Sequence, residues 1–227
     1  MDKETFKLEV SKLGINLTIE QMDLLDKFYH ELIEVNKVMN LTRITKLEDV
    51  YLKHYYDSLT LYKIYPLDKK ITLCDIGTGA GFPGIVLKIV FPNLKITLID
   101  SLKKRVDYLN NLIKKLKLKD IEAIHIRAED FSKIKREKYD VVTARAVAKT
   151  STLLNYAIPL VKVNGSFLIM KANINNELED AKDLIKKLEV KIEDVLEFSL
   201  PYENSTRTLI KVIKNKKTPL IFPKRNK

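Results

Sequence analysis

The chain has 227 residues, of which 45% are hydrophobic and 31% are charged, and it carries a net charge of +11 at pH 7. No apolar run approaches the ~20 residues that a membrane helix needs, so we expect a cytoplasmic protein without membrane contact. The lone Cys74 excludes an internal disulfide, and one cysteine with three histidines argues against a transition-metal site.

Residues 1–65 are predicted to form an N-terminal helical region. Apolar residues recur there at intervals of three and four, which places them on one helix face: Met22, Leu25, Phe28, Leu32 and Met39. Thr18 followed three residues later by Gln21 predicts a capping box at the start of this helix. We assign the apolar face to the core rather than to a cofactor site.

A glycine-rich loop with the sequence DIGTGAGFPG occupies residues 75–84 and holds four of the chain's six glycines. It follows a predicted strand and opens a predicted helix, so its backbone N–H groups can approach a nucleotide-like cofactor. Part of the loop also fits the G-x-G-x-x-G pattern of dinucleotide-binding folds, which leaves NAD open. The alternation of Gly77, Gly79 and Gly81 after the acid Asp75 favours S-adenosylmethionine and resembles motif I of class I methyltransferases.

Alternating strands and helices follow the loop. Helices are predicted over residues 84–91, 102–116, 152–161 and 177–188, and strands over residues 95–100, 121–127, 139–144, 166–170, 190–198 and 206–213. No helix separates the last two strands, so they form an antiparallel hairpin. The predicted fold class is α/β: a Rossmann-like class I methyltransferase core over residues 66–213, whose mostly parallel seven-stranded sheet ends in that hairpin.

Carboxyl ends of the predicted strands supply the candidate donor site, because ligands of open parallel sheets bind beyond those ends. The glycine loop follows the first strand, Asp100 the second and residues 128–130 the third. We expect Asp100 to bind the ribose hydroxyls of the cofactor. Glu129 or Asp130 could accept a hydrogen bond from the adenine amino group. Each could equally be an ordinary carboxylate at the start of a helix, and the sequence leaves both alternatives open.

The basic residues suggest a polyanionic partner. Arg145, after the fourth strand, places a permanent cation where the methyl acceptor should arrive, unless it pairs with Asp75 or Glu129. Residues 214–227 form a basic C-terminal tail with six basic residues and no acid. Apolar residues and prolines within the tail favour a docked segment over a solvated one: Pro219, Ile221, Phe222 and Pro223.

Several sequence blocks, taken in order, resemble the glucose-inhibited division protein B family. They are NLTRI at residues 40–44, HYYDSL at 54–59, the glycine loop, RAE at 127–129, TARA at 143–146, and TP and FPKR in the tail at 218–219 and 222–225. The resemblance covers nearly the whole chain and implies S-adenosylmethionine-dependent methylation of N7 of a guanine in the 530 loop of 16S ribosomal RNA. The expected partner is that RNA or the small ribosomal subunit, and we expect a monomer. Phe222 stands where the family often has tyrosine, and Asp100 where it often has glutamate.

The resemblance also assigns site residues. Contacts to the methyl donor are implied for Gly77, Phe82, Ala128, Glu129 and Arg145, beside Gly79 and Asp100 from the loop and second strand. Contacts to the RNA are predicted for Asn40, Arg43 and His54. Arg43 is expected to meet a phosphate, whereas His54 stacks on a base, contacts a phosphate or is a structural hydrogen-bonding group. No catalytic side chain is predicted.

The residues limit the chemistry independently of that resemblance. Cys74 lies in a predicted buried strand, which argues against covalent activation of a pyrimidine C5. Residues 144–147 read ARAV where methyltransferases of exocyclic amines carry an Asn/Asp-Pro-Pro-Tyr block. Guanine N7 presents a lone pair and no proton, so it needs no general base. The alternatives are methylation of another RNA position or of a small molecule, an NAD-dependent dehydrogenase, and a noncatalytic ribosome-assembly factor.

Overall fold

The computed structural model describes residues 1–145, 148–203 and 205–224. Its strands are β1 (Thr72–Ile76), β2 (Lys95–Asp100), β3 (Ile121–His125), β4 (Tyr139–Arg145), β5 (Val161–Lys171), β6 (Val190–Ser199) and β7 (Thr206–Lys214). Its helices are α1 (Lys3–Lys12), α2 (Ile19–Met39), α3 (Leu47–Val50), α4 (Asp57–Leu59), α5 (Gly84–Val90), α6 (Lys103–Lys115), α7 (Ala128–Ile134), α8 (Thr150–Ala157), α9 (Glu177–Asp180) and α10 (Lys182–Leu188), with a π-helical turn (Tyr51–Tyr56) before α4 and a 3-10 turn (Thr60–Lys63) after it. None of the helices in these ranges is long and apolar enough to cross a membrane.

The strands form one seven-stranded sheet in the order β3-β2-β1-β4-β5-β7-β6. Neighbouring strands from β3 to β5 pair in parallel, whereas β7 pairs antiparallel with both β5 and β6. The predicted sheet and its C-terminal hairpin are therefore confirmed. The strand order reverses between β1 and β4, so a crevice opens at the carboxyl ends of these strands.

Helix α2 begins at the capping box that the sequence predicts. The Thr18 hydroxyl accepts a hydrogen bond from the Gln21 backbone at 3.2 Å, and the Gln21 side chain accepts one from the Thr18 backbone at 2.9 Å. These reciprocal bonds satisfy two backbone donors that the first turn of α2 leaves free. On the apolar face of α2, Leu25, Phe28 and Leu32 are fully buried.

Aromatic packing joins the N-terminal helices to the sheet core. Phe82 of the glycine loop stacks on Phe28 of α2, with ring centroids 5.2 Å apart. Tyr55 of the π-helical turn also stacks on Phe28, and it lies edge-on to Phe6 of α1. Each fully buried aromatic ring contributes about 1.5–3 kcal/mol from burial. The glycine loop is thereby supported by helices that precede it in sequence.

Several boundaries in the second half of the chain differ from the prediction. Helix α8 spans Thr150–Ala157 rather than residues 152–161, and β3 ends at His125 rather than at residue 127. The helix predicted over 177–188 is two helices, α9 and α10, which meet at fully buried Ala181. Strand β5 begins at Val161 rather than at residue 166, because Tyr139 of β4 pairs with Val161 and Val141 pairs with Ser166. The residues of β5 between Val161 and Ser166 form a bulge in the pairing with β4.

The C-terminal segment packs on the core. Arg136 donates hydrogen bonds to the carbonyl oxygens of Phe222 and Thr218 at 2.5 and 2.7 Å, and the Phe222 side chain is 1% exposed. Lys214, the first basic residue of the predicted tail, is the last residue of β7 and is fully buried, with its amine bonded to two carbonyl oxygens and Glu137. The segment is therefore docked through Lys214, Thr218 and Phe222, whereas Ile221, which the prediction counted toward docking, is 65% exposed. Residues 225–227 lie outside the described part of the chain.

Candidate active site

Two cavities flank the glycine loop at the carboxyl ends of the strands, and Gly77 lines both. The small cavity, of about 170 Å³, is lined by residues that include Asp100, Ala128, Glu129 and Tyr156. The large cavity, of about 340 Å³, is lined by residues that include His54, Asp57, Gly79, Phe82, Arg145 and Arg207. The seven residues predicted to contact a methyl donor thus all line one cavity or the other.

The loop glycines serve different purposes. Gly79 has a φ of +60°, and a Cβ added there would meet no protein atom closer than 3.9 Å, so this face of the loop opens onto the large cavity. At Gly81 an added Cβ would come within 2.7 Å of Ile85. At Gly84 it would collide with Leu98 and Asp75. Gly84 therefore allows α5 to pack on the sheet, and Gly81 allows close packing against Ile85 and Leu109, whereas Gly79 leaves room for a ligand against the backbone.

Asp75 lies beneath the loop and is fully buried. One of its carboxylate oxygens accepts a hydrogen bond from the Gly84 backbone at 2.9 Å, which fixes the start of α5. Burial raises the pKa of Asp75 to about 6, although this hydrogen bond lowers it. Since Asp75 lines neither cavity, we assign it to holding the loop rather than to direct contact with a ligand.

Asp100 connects the loop to the small cavity. Its carboxylate accepts hydrogen bonds from the backbone of Gly79 at 3.0 Å and of Leu102 at 2.9 Å, and Arg105 lies 3.4 Å away. These contacts hold the loop and the start of α6 together. A carboxylate has about four lone-pair sites, so Asp100 retains the capacity to accept from a ribose hydroxyl, and its contact with the donor stays a prediction.

The small cavity separates the two carboxylates that the sequence left as equal candidates. Glu129, in the first turn of α7, lines the cavity with a side chain that is 30% exposed. Asp130 is more exposed and pairs with Lys133 at 2.9 Å. Apolar walls come from Ile99, Leu153 and Tyr156. A hydrogen-bonding carboxylate beside apolar walls suits a flat base with an exocyclic amine.

Arg145 lines the large cavity and is bound to the N-terminal helices. It donates hydrogen bonds to the Asp57 carboxylate and to the Lys53 carbonyl oxygen, each at 3.1 Å, and its guanidinium lies 5.1 Å from the Phe82 ring centroid. The ion pair with Asp75 or Glu129 that the sequence left open is not formed. The partner is Asp57, from the helices that precede the core, and no local pattern around Arg145 indicates it.

His54 is buried within the same network. Its ring stacks on Phe82 at 4.3 Å, its Nε2 lies 2.9 Å from the Thr42 hydroxyl, and its Nδ1 lies 3.1 Å from Arg145. Because an arginine only donates, Nδ1 must accept and Nε2 carries the proton. Burial, followed by the Arg145 cation, lowers the pKa of His54 to about 3. The neutral ring matches the structural alternative, and a contact with RNA stays a prediction.

The other two predicted RNA contacts lie on the rim of the large cavity or beyond it. Asn40 ends α2 in the left-handed conformation, with a φ of 49°, and does not line the cavity. Arg43 is exposed and forms no ion pair with any described residue. Its neighbours Thr42 and Ile44 line the cavity, and Asn36 holds the Thr42 backbone at 2.8 Å. Arg43 is therefore carried on an anchored loop beside the opening.

Two residues of the large cavity were missed by the sequence argument. Asp57 belongs to the HYYDSL block, which was noted without a role for this residue. Arg207 lies near the start of β7 and pairs with Asp57 at 3.0 Å. Its place in this block could have identified Asp57 as a site residue. Arg207 could not be identified in this way, because the sequence around it does not indicate a site more than fifty residues away along the chain.

Known proteins resemble this chain over nearly its whole length. Residues 21–207 match the family described as GidB, rRNA small subunit methyltransferase G. A "Ribosomal RNA small subunit methyltransferase G" of Oceanobacillus iheyensis is 46% identical over 228 residues, covering 99% of this chain and 96% of that protein. Its counterpart in Bacillus cytotoxicus is 44% identical, covering 99% of this chain and 95% of that protein.

Solved structures with lower identity share the fold. A SAM-dependent methyltransferase from Aquifex aeolicus superposes with a TM-score of 0.57 at 18% identity, covering 77% of this chain and 97% of that chain. M. jannaschii TYW2 in complex with AdoMet superposes with a TM-score of 0.51 at 20% identity, covering 64% and 69% of the two chains. At these identities the likeness concerns the fold alone.

Proposed function

The chain belongs to the rRNA small subunit methyltransferase G family, and on that premise we propose that it transfers a methyl group from S-adenosylmethionine to N7 of a guanine in the 530 loop of 16S ribosomal RNA. One observation carries the residue-level proposal: two cavities of different character meet at Gly77, beside the glycine loop. The small cavity would take the adenosine part of the donor. The large cavity would take the donor's amino-acid part and the incoming base.

The residues present suit S-adenosylmethionine. Gly79 leaves open space against the backbone, where the amino-acid part of the donor would lie. Asp100 would accept from the ribose hydroxyls and Glu129 from the adenine amino group, beside the small side chain of Ala128. Phe82 and Arg145 would border the donor from the side of the large cavity. All of these contacts are proposals that follow from the lining of the two cavities.

The chemistry requires positioning more than proton transfer. When bound, S-adenosylmethionine supplies an electrophilic methyl group on a sulfonium. Guanine N7 would take the methyl group with its lone pair as the carbon–sulfur bond breaks and S-adenosylhomocysteine leaves, and it would lose no proton, so no side chain has to serve as a base. The protein contributes by aligning N7, the methyl carbon and sulfur, and by excluding water. His54, held neutral within the network, adds no titrating charge to this alignment.

RNA binding is proposed for the rim of the large cavity. Arg43 is exposed there and available for a phosphate, and the net charge of +11 favours association with RNA. A guanine must leave its stack to reach a cavity, which is easier in a hairpin loop than in a duplex. Asn40 and His54 are proposed to contribute to the RNA site, His54 through the Thr42 loop. We also propose that the protein acts as a monomer in the cytoplasm.

The test of the function uses small ribosomal subunits from a strain lacking the protein. Tritiated S-adenosylmethionine and the purified protein are expected to label 16S ribosomal RNA at one guanine. N7 methylation fixes a positive charge on the imidazole ring, so borohydride reduction followed by aniline should cleave the RNA at that position, within a loop. A labelled product that resists cleavage would show that the methyl group is on an atom other than N7. Absence of labelling would leave RNA binding without catalysis and contradict the proposal.

A further inference from the structure

Asp57 holds two arginines at once in the large cavity. One carboxylate oxygen lies 3.1 Å from Nη1 of Arg145, and the other lies 3.0 Å from Nε of Arg207. The Asp57 side chain is 7% exposed, and the arginine side chains are 16% and 18% exposed. The three residues come from the start of α4, the end of β4 and the start of β7. Packing of the N-terminal helices on the sheet therefore creates this cluster.

The two guanidinium groups differ in the donors that they have left. Arg145 uses Nη1 for Asp57 and the Lys53 carbonyl, and Nη2 for His54. Arg207 uses Nε for Asp57 and Nη1 for its neighbouring Thr206 carbonyl at 2.9 Å. Nη2 of Arg207 has no partner among the described residues. Since Arg207 lines the large cavity, its free edge is available to a ligand there.

Donor geometry identifies the kind of group that suits this edge. One carboxylate between two arginines leaves a net charge of +1 in these three partly desolvated residues. His54 is neutral, but Lys53 is paired with two carboxylates, Asp49 and Glu203, so the wider cluster has no net charge. The choice of ligand therefore rests on the unpaired donors of Arg207 rather than on charge balance. A phosphate oxygen pair matches the planar donor edge of an arginine.

Resting on the proposed function, we propose that Asp57 is a positioning residue that orients Arg207, and that Arg207 binds a backbone phosphate of the nucleotide being methylated. Asp57 itself touches neither substrate nor donor. Without its carboxylate the two guanidinium groups would repel each other, and Arg207 would turn toward solvent. The nucleotide would then lose a fixed contact, while the small cavity would keep its shape.

The experiment compares two ion pairs that each have an arginine or lysine on strand β7. Arg207→Gln and Asp57→Asn remove the pair in the cavity. Lys211→Gln and Glu193→Gln remove a pair of 2.7 Å between β7 and β6, outside both cavities, with the same changes in net charge. For each variant, the affinity for a 16S RNA fragment containing the target loop is measured across a salt series. S-adenosylhomocysteine affinity, thermal stability and single-turnover methylation of small subunits are measured in parallel.

Arg207→Gln should weaken RNA binding by about tenfold or more, as expected for a charged hydrogen-bonded contact, and should lower the salt slope by about 0.7–0.9. S-adenosylhomocysteine affinity should stay within about twofold, because the donor contacts proposed above do not include Arg207. Asp57→Asn should reproduce the loss, and the double variant should be no worse than Arg207→Gln. The two control variants should bind RNA like wild type.

Three results would overturn the inference. The first is an unchanged salt slope in folded Arg207→Gln. The second is a double variant whose losses add, because Asp57 would then act independently of Arg207. The third is an equal loss of RNA affinity in Lys211→Gln, which would show that the change in net charge alone explains the effect. Arg207→Gln leaves Asp57 paired with Arg145, so it keeps the phosphate contact testable even where Asp57→Asn does not fold. Wild-type protein that fails to methylate RNA would contradict the proposed function instead.

Discussion

The small and large cavities are neighbours, but the chain builds them in different ways. The small cavity is assembled from residues 76–156, at the ends of consecutive strands and the starts of the helices that follow them. The large cavity combines residues 41–57 with the glycine loop, Arg145 and parts of β5 and β7. A site made by consecutive strand-to-helix connections follows from topology. A site made by distant segments depends on how the N-terminal helices pack.

The largest effect is expected from Gly79→Val, which should weaken donor binding strongly with only a limited loss of stability. A residue other than glycine at a φ of +60° costs roughly 1–2 kcal/mol, and the new side chain would fill the space that Gly79 leaves open. Donor affinity should fall by about 100-fold or more, which corresponds to ~2.7 kcal/mol. Calorimetry with S-adenosylhomocysteine measures it.

Gly84→Val is the matched control for that variant. Its side chain would collide with Leu98 and Asp75, so it should lower the melting temperature rather than act on a folded protein. A folded Gly79→Val protein whose donor affinity is within a few-fold of wild type would place the donor away from the loop.

Arg136→Ala should destabilise the protein while sparing both cavities. Arg136 donates to the carbonyl oxygens of Thr218, Pro219 and Phe222, which fix the C-terminal segment. Loss of these charged hydrogen bonds should cost about 1–3 kcal/mol of unfolding free energy, measured by urea denaturation. Lys216→Ala, at an exposed ion pair, should change it by less than about 0.5 kcal/mol. Weaker donor binding in folded Arg136→Ala would instead make the segment part of the donor site.

His54 should make stability depend on pH. Its pKa falls from an ordinary 6.5 to about 3 on folding, so below pH 6.5 the unfolded chain binds a proton that the folded chain does not. Stability should therefore fall as the pH decreases, by up to ~1.4 kcal/mol per pH unit relative to His54→Gln. Asp75 titrates with the opposite sign in both proteins and cancels in the difference.

Urea denaturation of wild type and His54→Gln at pH 7, 6 and 5 gives this difference. Parallel curves across the series would mean that His54 is protonated in the folded protein, which would leave it a cation able to meet a phosphate. A difference that grows as the pH falls would support the neutral ring between Thr42 and Arg145.

The smallest effect is expected from Glu129→Gln. An amide cannot accept hydrogen bonds at both of its positions, so donor affinity should fall by a few-fold, equivalent to about 0.5–1.5 kcal/mol. RNA affinity should not change, because Glu129 lines only the small cavity. Asp130→Asn is the control, since Asp130 lies outside that cavity. Equal losses in the two variants would assign the effect to the charge of α7.

These contrasts correspond to what the sequence could and could not predict. The glycine loop, Asp100 and Glu129 could be placed because each lies at or just beyond the carboxyl end of a strand of a parallel sheet. The glycine pattern after Asp75 and the family resemblance both indicated the methyl donor. Asp57 and Arg207 could not be joined to Arg145, because their contact depends on a π-helical turn and an edge hairpin packing together.

The local sequence pattern also gave wrong boundaries for elements outside the site. The predicted helix over 177–188 is divided at Ala181, where Glu177 is held by Lys171 and Thr150 at one end and Leu188 is buried at the other. The early start of β5 depends on pairing with β4, which no single segment encodes. The environment of His54 likewise depends on Phe82 and Arg145, neither of which is near it in sequence.

The most direct measurement is a crystal structure of the protein with S-adenosylhomocysteine. We expect the adenosine part in the small cavity, with Asp100 and Glu129 as its hydrogen-bonding partners. The sulfur atom should lie beside Gly77 and face the large cavity, with Arg207 free of the ligand. An adenosine part seated in the large cavity against Arg207 would contradict the division of the site into a donor cavity and an acceptor cavity.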